Sequence, residues 1–305
     1  MEAMTKNLFS YLAKSNVLNQ AAKKWGLQFG ANKVVGGETF AKAVPLIRQL
    51  NKQGLSVTVD HLGEFVSSAE ISKERTQECV QTIKRINHEG LDSQISLKLT
   101  SLGLDIDHDL ITDNLTQIME AARHYDIFIT IDMEDTSRCQ ATLDIFEELR
   151  ANFDNLGTVI QSYLYRSEDD VRDLNKHHPN LRLVKGAYKE SSKVAYKEKD
   201  DVDENLKRLI KTHLLNGNYT AVASHDDVMI NYTKQIVKEY KIPSNQFEFQ
   251  MLYGMRTQTQ LELAKEGYKM RVYVPYGDDW YGYFMRRLAE RPENISFVLK
   301  GMFKH

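Results

Sequence analysis

One helix near the end of the sequence carries four polar side chains that are spaced for chemistry on a single face. Tyr283, Arg286, Arg287 and Glu290 follow one another at i, i+3, i+4 and i+7, which places them on one side of an α-helix. Two adjacent guanidinium groups repel each other unless an anion lies between them, and a planar carboxylate meets that need. The spacing therefore indicates a carboxylate clamp. A solvated helix face, with Glu290 paired to Arg286, is the alternative.

The strand pattern before this helix has polar side chains on one of its faces. Arg271 and Tyr273 alternate with Val272 and Val274, so polar and apolar groups point to opposite sides. The turn that follows contains a glycine, and two aspartates stand where a helix N-cap is expected, at 278 and 279.

Eight strand patterns, each followed by a helical pattern, run from residue 55 onward. The strands are predicted at 55–60, 94–100, 127–132, 158–163, 181–185, 221–225, 246–251 and 269–274. This alternation predicts an α/β fold, a distorted (βα)8 TIM-like barrel with extra N-terminal helices. An open doubly wound sheet is the alternative, but no G-x-G-x-x-G follows the first strand. Residues 1–54 are expected to form helices that pack on the barrel, and residues 55–305 the catalytic barrel, as one continuous structural domain.

The predicted strands alternate polar and apolar residues, whereas buried parallel strands usually read as continuous apolar runs. Val57 and Val59, for example, alternate with Thr58 and Asp60. Because helices must cover the apolar set, the polar set is expected inside the barrel, where charges must pair or bind a ligand. The polar residues at the C-terminal strand ends, where barrel enzymes hold their active sites, are Lys98, Asp132, Gln161, Lys185, His225 and Tyr273. A structural Lys98–Asp132 ion pair without chemistry is the alternative.

Composition excludes several classes of function. The chain has 305 residues, with 40 basic and 42 acidic side chains and a net charge of −2, which gives no general attraction to nucleic acid or anionic membranes. No signal peptide and no run of 18 apolar residues is visible. The two cysteines, Cys79 and Cys139, favour reduced thiols in a cytoplasmic protein over a disulfide framework or a zinc site.

Four short motifs occur in order on the predicted strand ends and the last helix. They are Val184-Lys-Gly-Ala-Tyr188, Gln250-Met-Leu-Tyr-Gly254, Arg271-Val-Tyr-Val-Pro-Tyr-Gly277 and Tyr283-x-x-Arg-Arg287. Together they resemble proline dehydrogenase, the flavin-dependent enzyme family that oxidises L-proline, in its short, monofunctional bacterial form. The resemblance extends from about residue 57 to residue 290. Lys189 stands where the family often has Trp, and the polar insertion 190–202 that follows it fits either a helix over the cofactor or a solvated helix.

The resemblance implies an FAD site over the C-terminal ends of the strands and a role for each matching residue. Arg286, Arg287 and Lys98 are expected to bind the proline carboxylate, and Glu290 to orient the two arginines. The substrate pocket and its edge are expected to include Tyr273, Tyr283, Leu252, Ala187, Tyr188 and Asp132. Flavin contacts are expected from Gln161, Arg182, Lys185, Gly186, Ala187, Tyr188, Ser224 and His225. Arg182 and Lys185 have opposite strand parity, so both can face one site only if the strand is irregular there.

The implied reaction is oxidation of L-proline to Δ1-pyrroline-5-carboxylate by hydride transfer to flavin N5, the first step of proline catabolism to glutamate. The resemblance further implies a quinone as electron acceptor and a cytoplasmic protein that contacts the inner face of the cell membrane transiently. Two alternatives remain open at this point. One is a Schiff-base lyase or aldolase that uses Lys98 or Lys185, and the other is a ligand-binding barrel without turnover.

Overall fold

Eight parallel strands close into a barrel in the order β1-β2-β3-β4-β5-β6-β7-β8. The structure, a computed structural model, describes residues 31–290. The strands are β1 (Ser56–His61), β2 (Ser93–Leu97), β3 (Ile129–Ile131), β4 (Leu156–Gln161), β5 (Asn180–Val184), β6 (Thr220–Ala223), β7 (Phe247–Leu252) and β8 (Met270–Tyr276). The pairing of β1 with β8 closes the barrel and sets Thr58 opposite Tyr273. The predicted barrel is therefore confirmed.

A helix follows each strand, and one further helix precedes β1. They are α1 (Phe40–Lys52), α2 (Ala69–His88), α3 (His108–His124), α4 (Thr136–Arg150), α5 (Ser167–Leu174), α6 (Lys199–Leu215), α7 (Asp227–Glu239), α8 (Thr257–Lys265) and α9 (Trp280–Glu290). The helical patterns before residue 31 lie outside the described residues. No helix among residues 31–290 combines the length and apolarity needed to cross a membrane.

The alternation along each strand decides which side chains form the core. Val57, Val59, Ile129 and Ile131 are fully buried and belong to one large apolar cluster with the inner faces of the helices. Burying such side chains stabilises the fold by roughly 1.5–3 kcal/mol each. The polar residues of opposite parity consequently point into the barrel, as the sequence predicts.

Ion pairs and hydrogen bonds fill the end of the barrel nearer the N-termini of the strands. Arg271 and Glu248 are each 2% exposed at the side chain, and Arg271 Nε lies 2.7 Å from Glu248 Oε1. Arg271 Nη1 also donates to the carbonyl of Val57 at 2.8 Å, which joins β8 to β1 inside the barrel. Burial alone would raise the pKa of Glu248, but Arg271 outweighs it and lowers this pKa to about 2. This end of the barrel is therefore charged but internally neutralised.

The segment after β5 differs from one part of the prediction. The insertion 190–202 is not a helix over residues 190–198, since α6 begins only at Lys199. Instead Leu164 and Ala195 form an isolated antiparallel bridge, and Tyr165 donates to the carbonyl of Ser192 at 3.0 Å. These contacts hold the segment against the loop after β4, which explains why its Lys- and Glu-rich composition did not produce a free-standing helix.

Candidate active site

A cluster of charged side chains lies inside the barrel at the C-terminal ends of β1, β2, β3 and β8. Lys98, one residue beyond β2, donates from Nζ to Asp60 Oδ2 at 2.8 Å and to Asp132 Oδ2 at 3.2 Å. Its ammonium also lies 3.4 Å from the hydroxyl of Tyr273. The predicted proximity of Lys98, Asp132 and Tyr273 is therefore present.

Asp132 is the acceptor that joins this cluster to the opposite wall. Tyr273 donates its hydroxyl to Oδ2 at 2.8 Å, Arg182 donates from Nη1 to Oδ1 at 2.5 Å, and Ser96 donates to Oδ1 at 3.2 Å. The Arg182 guanidinium also lies over the Tyr273 ring, 5.3 Å from its centroid. A carboxylate with this many donors stays fixed in orientation and ionised.

Burial and neighbouring charges shift the titration of this cluster in opposite directions. Burial is the largest influence on Asp132 and opposes ionisation, but Lys98 and Arg182 outweigh it, so the pKa of Asp132 is lowered. Burial raises the pKa of Asp60, and Lys98 only partly offsets this. Burial would likewise lower the pKa of Lys98, but the carboxylates beside it raise that pKa well above its ordinary value. Lys98 is consequently a fixed cation, and Tyr273, whose pKa is raised by burial, keeps its proton.

Gln250 connects the charged cluster to the ion pair deeper in the barrel. Arg182 Nε donates to Gln250 Oε1 at 2.7 Å, and Gln250 Nε2 donates to Glu248 Oε1 at 2.6 Å. A continuous chain of donors and acceptors thus runs from Arg271 through Glu248 to Asp132. Buried polar groups arranged in this way satisfy most of one another's donors and acceptors.

Helix α9 carries the arginine pair at the mouth of the barrel. Tyr283 is 8% exposed and packs in a small apolar cluster with Ala31, Val35, Leu62 and Trp280. The Arg287 guanidinium lies over the Tyr283 ring at 5.2 Å, as their i, i+4 spacing predicts. Arg286 is half exposed, and its Nη2 approaches Glu64 Oε1 at 4.0 Å. The side chain of Glu290 lies outside the described residues.

The loop after β5 leaves Ala187 exposed and Tyr188 partly buried. Burial raises the pKa of Tyr188, and the next largest influence is the carboxylate of Glu64. Lys98 lowers and Asp132 raises the same pKa to a smaller extent. Gly186 adopts φ +116°, and a Cβ there would lie 2.3 Å from the Tyr163 ring, so this turn requires glycine.

Arg182 and Lys185 do not face the same space. Arg182 lies on β5 and points into the barrel, whereas Lys185 follows the last residue of the strand. Lys185 Nζ pairs with Asp203 at 2.5 Å and with Asp226 at 2.7 Å. Asp226 also caps α7 by accepting from the amide of Val228 at 3.0 Å. The parity difference predicted from the sequence therefore separates the two cations.

The remaining predicted cofactor residues lie at neighbouring strand ends. Gln161 is buried and donates to the carbonyl of Glu134 at 2.9 Å. Ser224 accepts from the amide of Asp226 at 3.1 Å. His225 Nε2 accepts from the amide of Leu252 at 3.0 Å, and Leu252 is set opposite Tyr273 by the strand register. These positions stay predictions for cofactor binding.

Sequence reasoning did not assign three acidic residues that the structure brings to this site. Asp60 is the carboxylate nearer to Lys98. It lies two residues after Thr58 on β1, so the alternation along the strand indicates that both side chains point into the barrel. Glu134 is fully buried and receives two hydrogen bonds from Thr100. Because Glu134 lies two residues after Asp132, the alternation of side chains could have indicated that it points to the same side. Glu64 lies in a loop, where no periodic pattern applies.

Known proteins are similar to this chain in both sequence and fold. A sequence model of the family described as proline dehydrogenase matches residues 43–300. Proline dehydrogenase 2 of Bacillus subtilis is 61% identical over 301 residues, which cover 99% of this chain and 99% of that protein. The proline dehydrogenase of Deinococcus radiodurans is 44% identical over 287 residues, 92% of each chain.

A solved structure gives the same result for the fold. Proline utilization A (PutA) from Bdellovibrio bacteriovorus, inactivated by N-propargylglycine, superposes with a TM-score of 0.80 at 27% identity. The match covers 90% of this chain and 34% of that one. With the family match over most of its length and relatives at 44% and 61% identity, this chain belongs to the proline dehydrogenase family of oxidoreductases.

Proposed function

We propose that this chain oxidises L-proline to Δ1-pyrroline-5-carboxylate with FAD as cofactor, the first step of proline catabolism to glutamate. The observation that carries the proposal is the buried cluster of Lys98, Asp60, Asp132 and Tyr273 at the strand ends. It lies at the end of the barrel where this fold holds its active sites. When bound, FAD supplies the hydride acceptor at N5 and holds the two electrons until a separate acceptor reoxidises it.

The residues at the strand ends fit a flavin nucleotide in two respects. Arg182 Nη2 is buried and has no hydrogen-bond partner among the described residues, so a donor is available inside the site. Buried donors of this kind are costly unless a ligand or water accepts from them. Gln161, Ser224 and His225 add polar side chains at the ends of the strands on either side of β5, where they suit the polar edge of a ring system. Arg182, Lys185, Gly186, Ala187 and Tyr188 complete the proposed cofactor contacts.

Arg286 and Arg287 are the proposed ligands of the proline carboxylate. The pair of guanidiniums on one helix face offers bidentate donors to a planar anion. Lys98 adds a third positive charge on the barrel side, although Asp60 and Asp132 already balance part of it. Glu290 is proposed to orient the two arginines.

Tyr273, Tyr283, Leu252, Ala187 and Tyr188 are proposed to surround the pyrrolidine ring. Tyr273 is held by Asp132 and Tyr283 by its packing on α9, so both rings are fixed before substrate binds. Preorganised side chains of this kind keep the reacting C–H in a near-attack geometry and exclude water. The nearby cations favour loss of the ammonium proton from the substrate, since they repel its charge. A neutral amine loses hydride more easily than an ammonium.

The raised pKa of Lys98 argues against the Schiff-base alternative. A lysine that attacks a carbonyl must lose its proton, and such lysines have lowered pKa values. Lys98 is held as a cation by Asp60 and Asp132. An oxidation that needs no protein nucleophile suits this arrangement better.

Reoxidation requires an electron acceptor, for which we propose a quinone. Because quinones reside in membranes, the proposal includes a cytoplasmic protein that contacts the inner face of the cell membrane transiently. Reduction of a soluble quinone analogue by the proline-treated protein is the expected result. A protein that reacts only with oxygen would contradict this part.

A visible absorption spectrum before and after anaerobic addition of L-proline tests the proposed reaction. Flavin bands that bleach with proline, but not with pyrrolidine, which lacks the carboxylate, are the expected result. Flavin bands that persist would exclude proline as the substrate and favour binding without turnover. A colourless protein that takes up no added FAD, yet is trapped by borohydride with a carbonyl compound, would support the lysine chemistry instead.

A further inference from the structure

The loop between β1 and α2 contributes Glu64 to the mouth of the barrel. Residues 62–68 contain no helix or strand, and Glu64 is the carboxylate that Arg286 approaches. The next residue, Phe65, has φ +57° and is 49% exposed. A bulky residue in this left-handed conformation persists only where the surrounding structure enforces it. Something therefore holds the loop in place.

Thr100 makes two hydrogen bonds to this loop. The amide of Phe65 donates to Thr100 Oγ1 at 3.2 Å, and the amide of Val66 donates to the Thr100 carbonyl at 3.1 Å. Thr100 is fully buried in the short 3-10 turn Leu99–Ser101, directly after Lys98. The strained residue and its successor are thus both fixed to one threonine.

Glu134 sets the orientation of the Thr100 hydroxyl. Thr100 donates from its amide to Glu134 Oε1 at 3.1 Å and from its hydroxyl to Oε2 at 2.6 Å. Because a hydroxyl has a single proton, its commitment to the carboxylate leaves the oxygen lone pairs to accept from the Phe65 amide. Glu134 is itself fixed, since its carbonyl accepts from Gln161.

A second contact holds the Phe65 ring. The Arg138 guanidinium lies over that ring at 5.0 Å and is bound in turn by Asp105. The loop is therefore held on its backbone by Thr100 and on its side chain by Arg138. Two independent restraints on one residue account for its left-handed conformation.

We propose that Thr100 is a positioning residue: with Glu134 it fixes residues 64–66 and so sets the approach of Glu64 to Arg286, on which binding of the substrate carboxylate depends. This inference rests on the proposed function, in which Arg286 binds that carboxylate. Loss of the hydroxyl should release the loop and weaken proline binding. The reacting C–H lies elsewhere, so the rate at saturating proline should change little.

Thr100→Val tests this role because it keeps the shape of the side chain and removes the hydroxyl. We expect the KM for proline to rise about tenfold, the equivalent of one or two lost hydrogen bonds, with kcat within about twofold. Hydrogen exchange at the Phe65 and Val66 amides should accelerate in the same variant. Thr100→Ser, which restores the hydroxyl, should return both values toward those of the unchanged protein.

Thr233→Val is the matched control. Thr233 is also fully buried, and its hydroxyl donates to the carbonyl of Met229 within α7, away from the loop. It should leave the KM and the exchange of the loop unchanged. A Thr100→Val protein with normal KM, or with normal exchange at residues 65 and 66, would overturn the proposal. So would a KM increase of equal size in Thr233→Val.

If Thr100→Val does not fold, hydrogen exchange in the unchanged protein tests the proposal instead. The Phe65 and Val66 amides should be protected although they lie in an irregular, partly exposed loop, and rapid exchange at both would overturn the proposal. Failure of the unchanged protein to oxidise proline would instead contradict the proposed function. In that event the exchange data on the two variants would still decide whether Thr100 holds the loop.

Discussion

Arg182 reaches Asp132 across the barrel, from β5 to the end of β3, with 2.5 Å between Nη1 and Oδ1. The intervening strand β4 contributes neither partner. The Asp132 carboxylate therefore pairs with two cations, Arg182 and Lys98, that approach it from different strands. Removal of its charge should affect both at once.

Asp132→Asn is predicted to lower kcat/KM for proline by about a hundredfold while flavin stays bound. The amide leaves Lys98 and Arg182 with less compensation, so unfolding in urea should show a loss of about 3 kcal/mol. Asp154→Asn is the control, because Asp154 is fully exposed and pairs only at the surface with Arg150. Unchanged kinetics in Asp132→Asn would mean that the Lys98–Asp132 pair is structural.

Arg287→Lys is predicted to raise the KM for proline about thirtyfold with little change in folding. Lysine keeps the charge but loses the planar fork and the stacking on Tyr283. That loss corresponds to about 2 kcal/mol of carboxylate binding. Steady-state kinetics with an artificial dye acceptor gives the measurement. Arg208→Lys, at an exposed arginine paired with Glu168, should behave like the unchanged protein, and wild-type kinetics in Arg287→Lys would contradict the clamp.

Gly186→Ala is predicted to destabilise the protein by about 3 kcal/mol and to weaken proline binding through Tyr188. Its Cβ would combine a positive φ with a 2.3 Å collision with the Tyr163 ring. Gly217→Ala separates the two causes, since Gly217 has φ +78° but no atom within 4 Å of the new Cβ. It should cost about 1 kcal/mol in urea unfolding and leave the KM unchanged. Equal losses in both variants would show that the Tyr163 contact is unimportant.

His213 is predicted to make the folded state less stable below neutral pH. This side chain on α6 is fully buried, and burial lowers its pKa from the ordinary value of 6.5 to about 4. Between these values the unfolded chain binds a proton that the folded chain does not, so stability falls as the pH decreases from 6.5 toward 4. From pH 7 to pH 5 the loss attributable to His213 is about 2 kcal/mol. His213→Gln should remove that part of the pH dependence in urea unfolding, and an identical slope in both proteins would contradict it.

The barrel was predictable from the sequence because its signal is repeated eight times. Alternation of period two marks a strand, and a helical pattern after each strand requires parallel pairing. The ends of the strands were less accurate. The prediction extended the third strand over 127–132, whereas β3 covers Ile129–Ile131. On the N-terminal side, Ile127 and Phe128 have the same apolar character as the strand, and Asp132 continues its alternation.

The charged cluster was predictable in part, through parity. Lys98, Asp132 and Tyr273 follow the inward set, and their meeting inside the barrel follows from closure alone. Contacts across the barrel, such as Arg182 with Asp132, depend on side-chain length and on the strand stagger, which a sequence does not specify. The contacts of Thr100 with the loop after β1 involve backbone amides in irregular segments, and no residue pattern indicates those.

The chain of hydrogen bonds from Arg271 through Glu248, Gln250 and Arg182 to Asp132 has a consequence for how this sequence can diverge. Each member satisfies its neighbour, so a change at one position alters the fitness of a change at the next. Substitutions here should be strongly epistatic, and a pairwise mutational scan should find that single variants are tolerated poorly while some compensated doubles survive. The residues of this buried chain are therefore expected to change together in evolution. Directed evolution of substrate preference should tolerate more substitutions in the loops at the mouth of the barrel than among these buried partners.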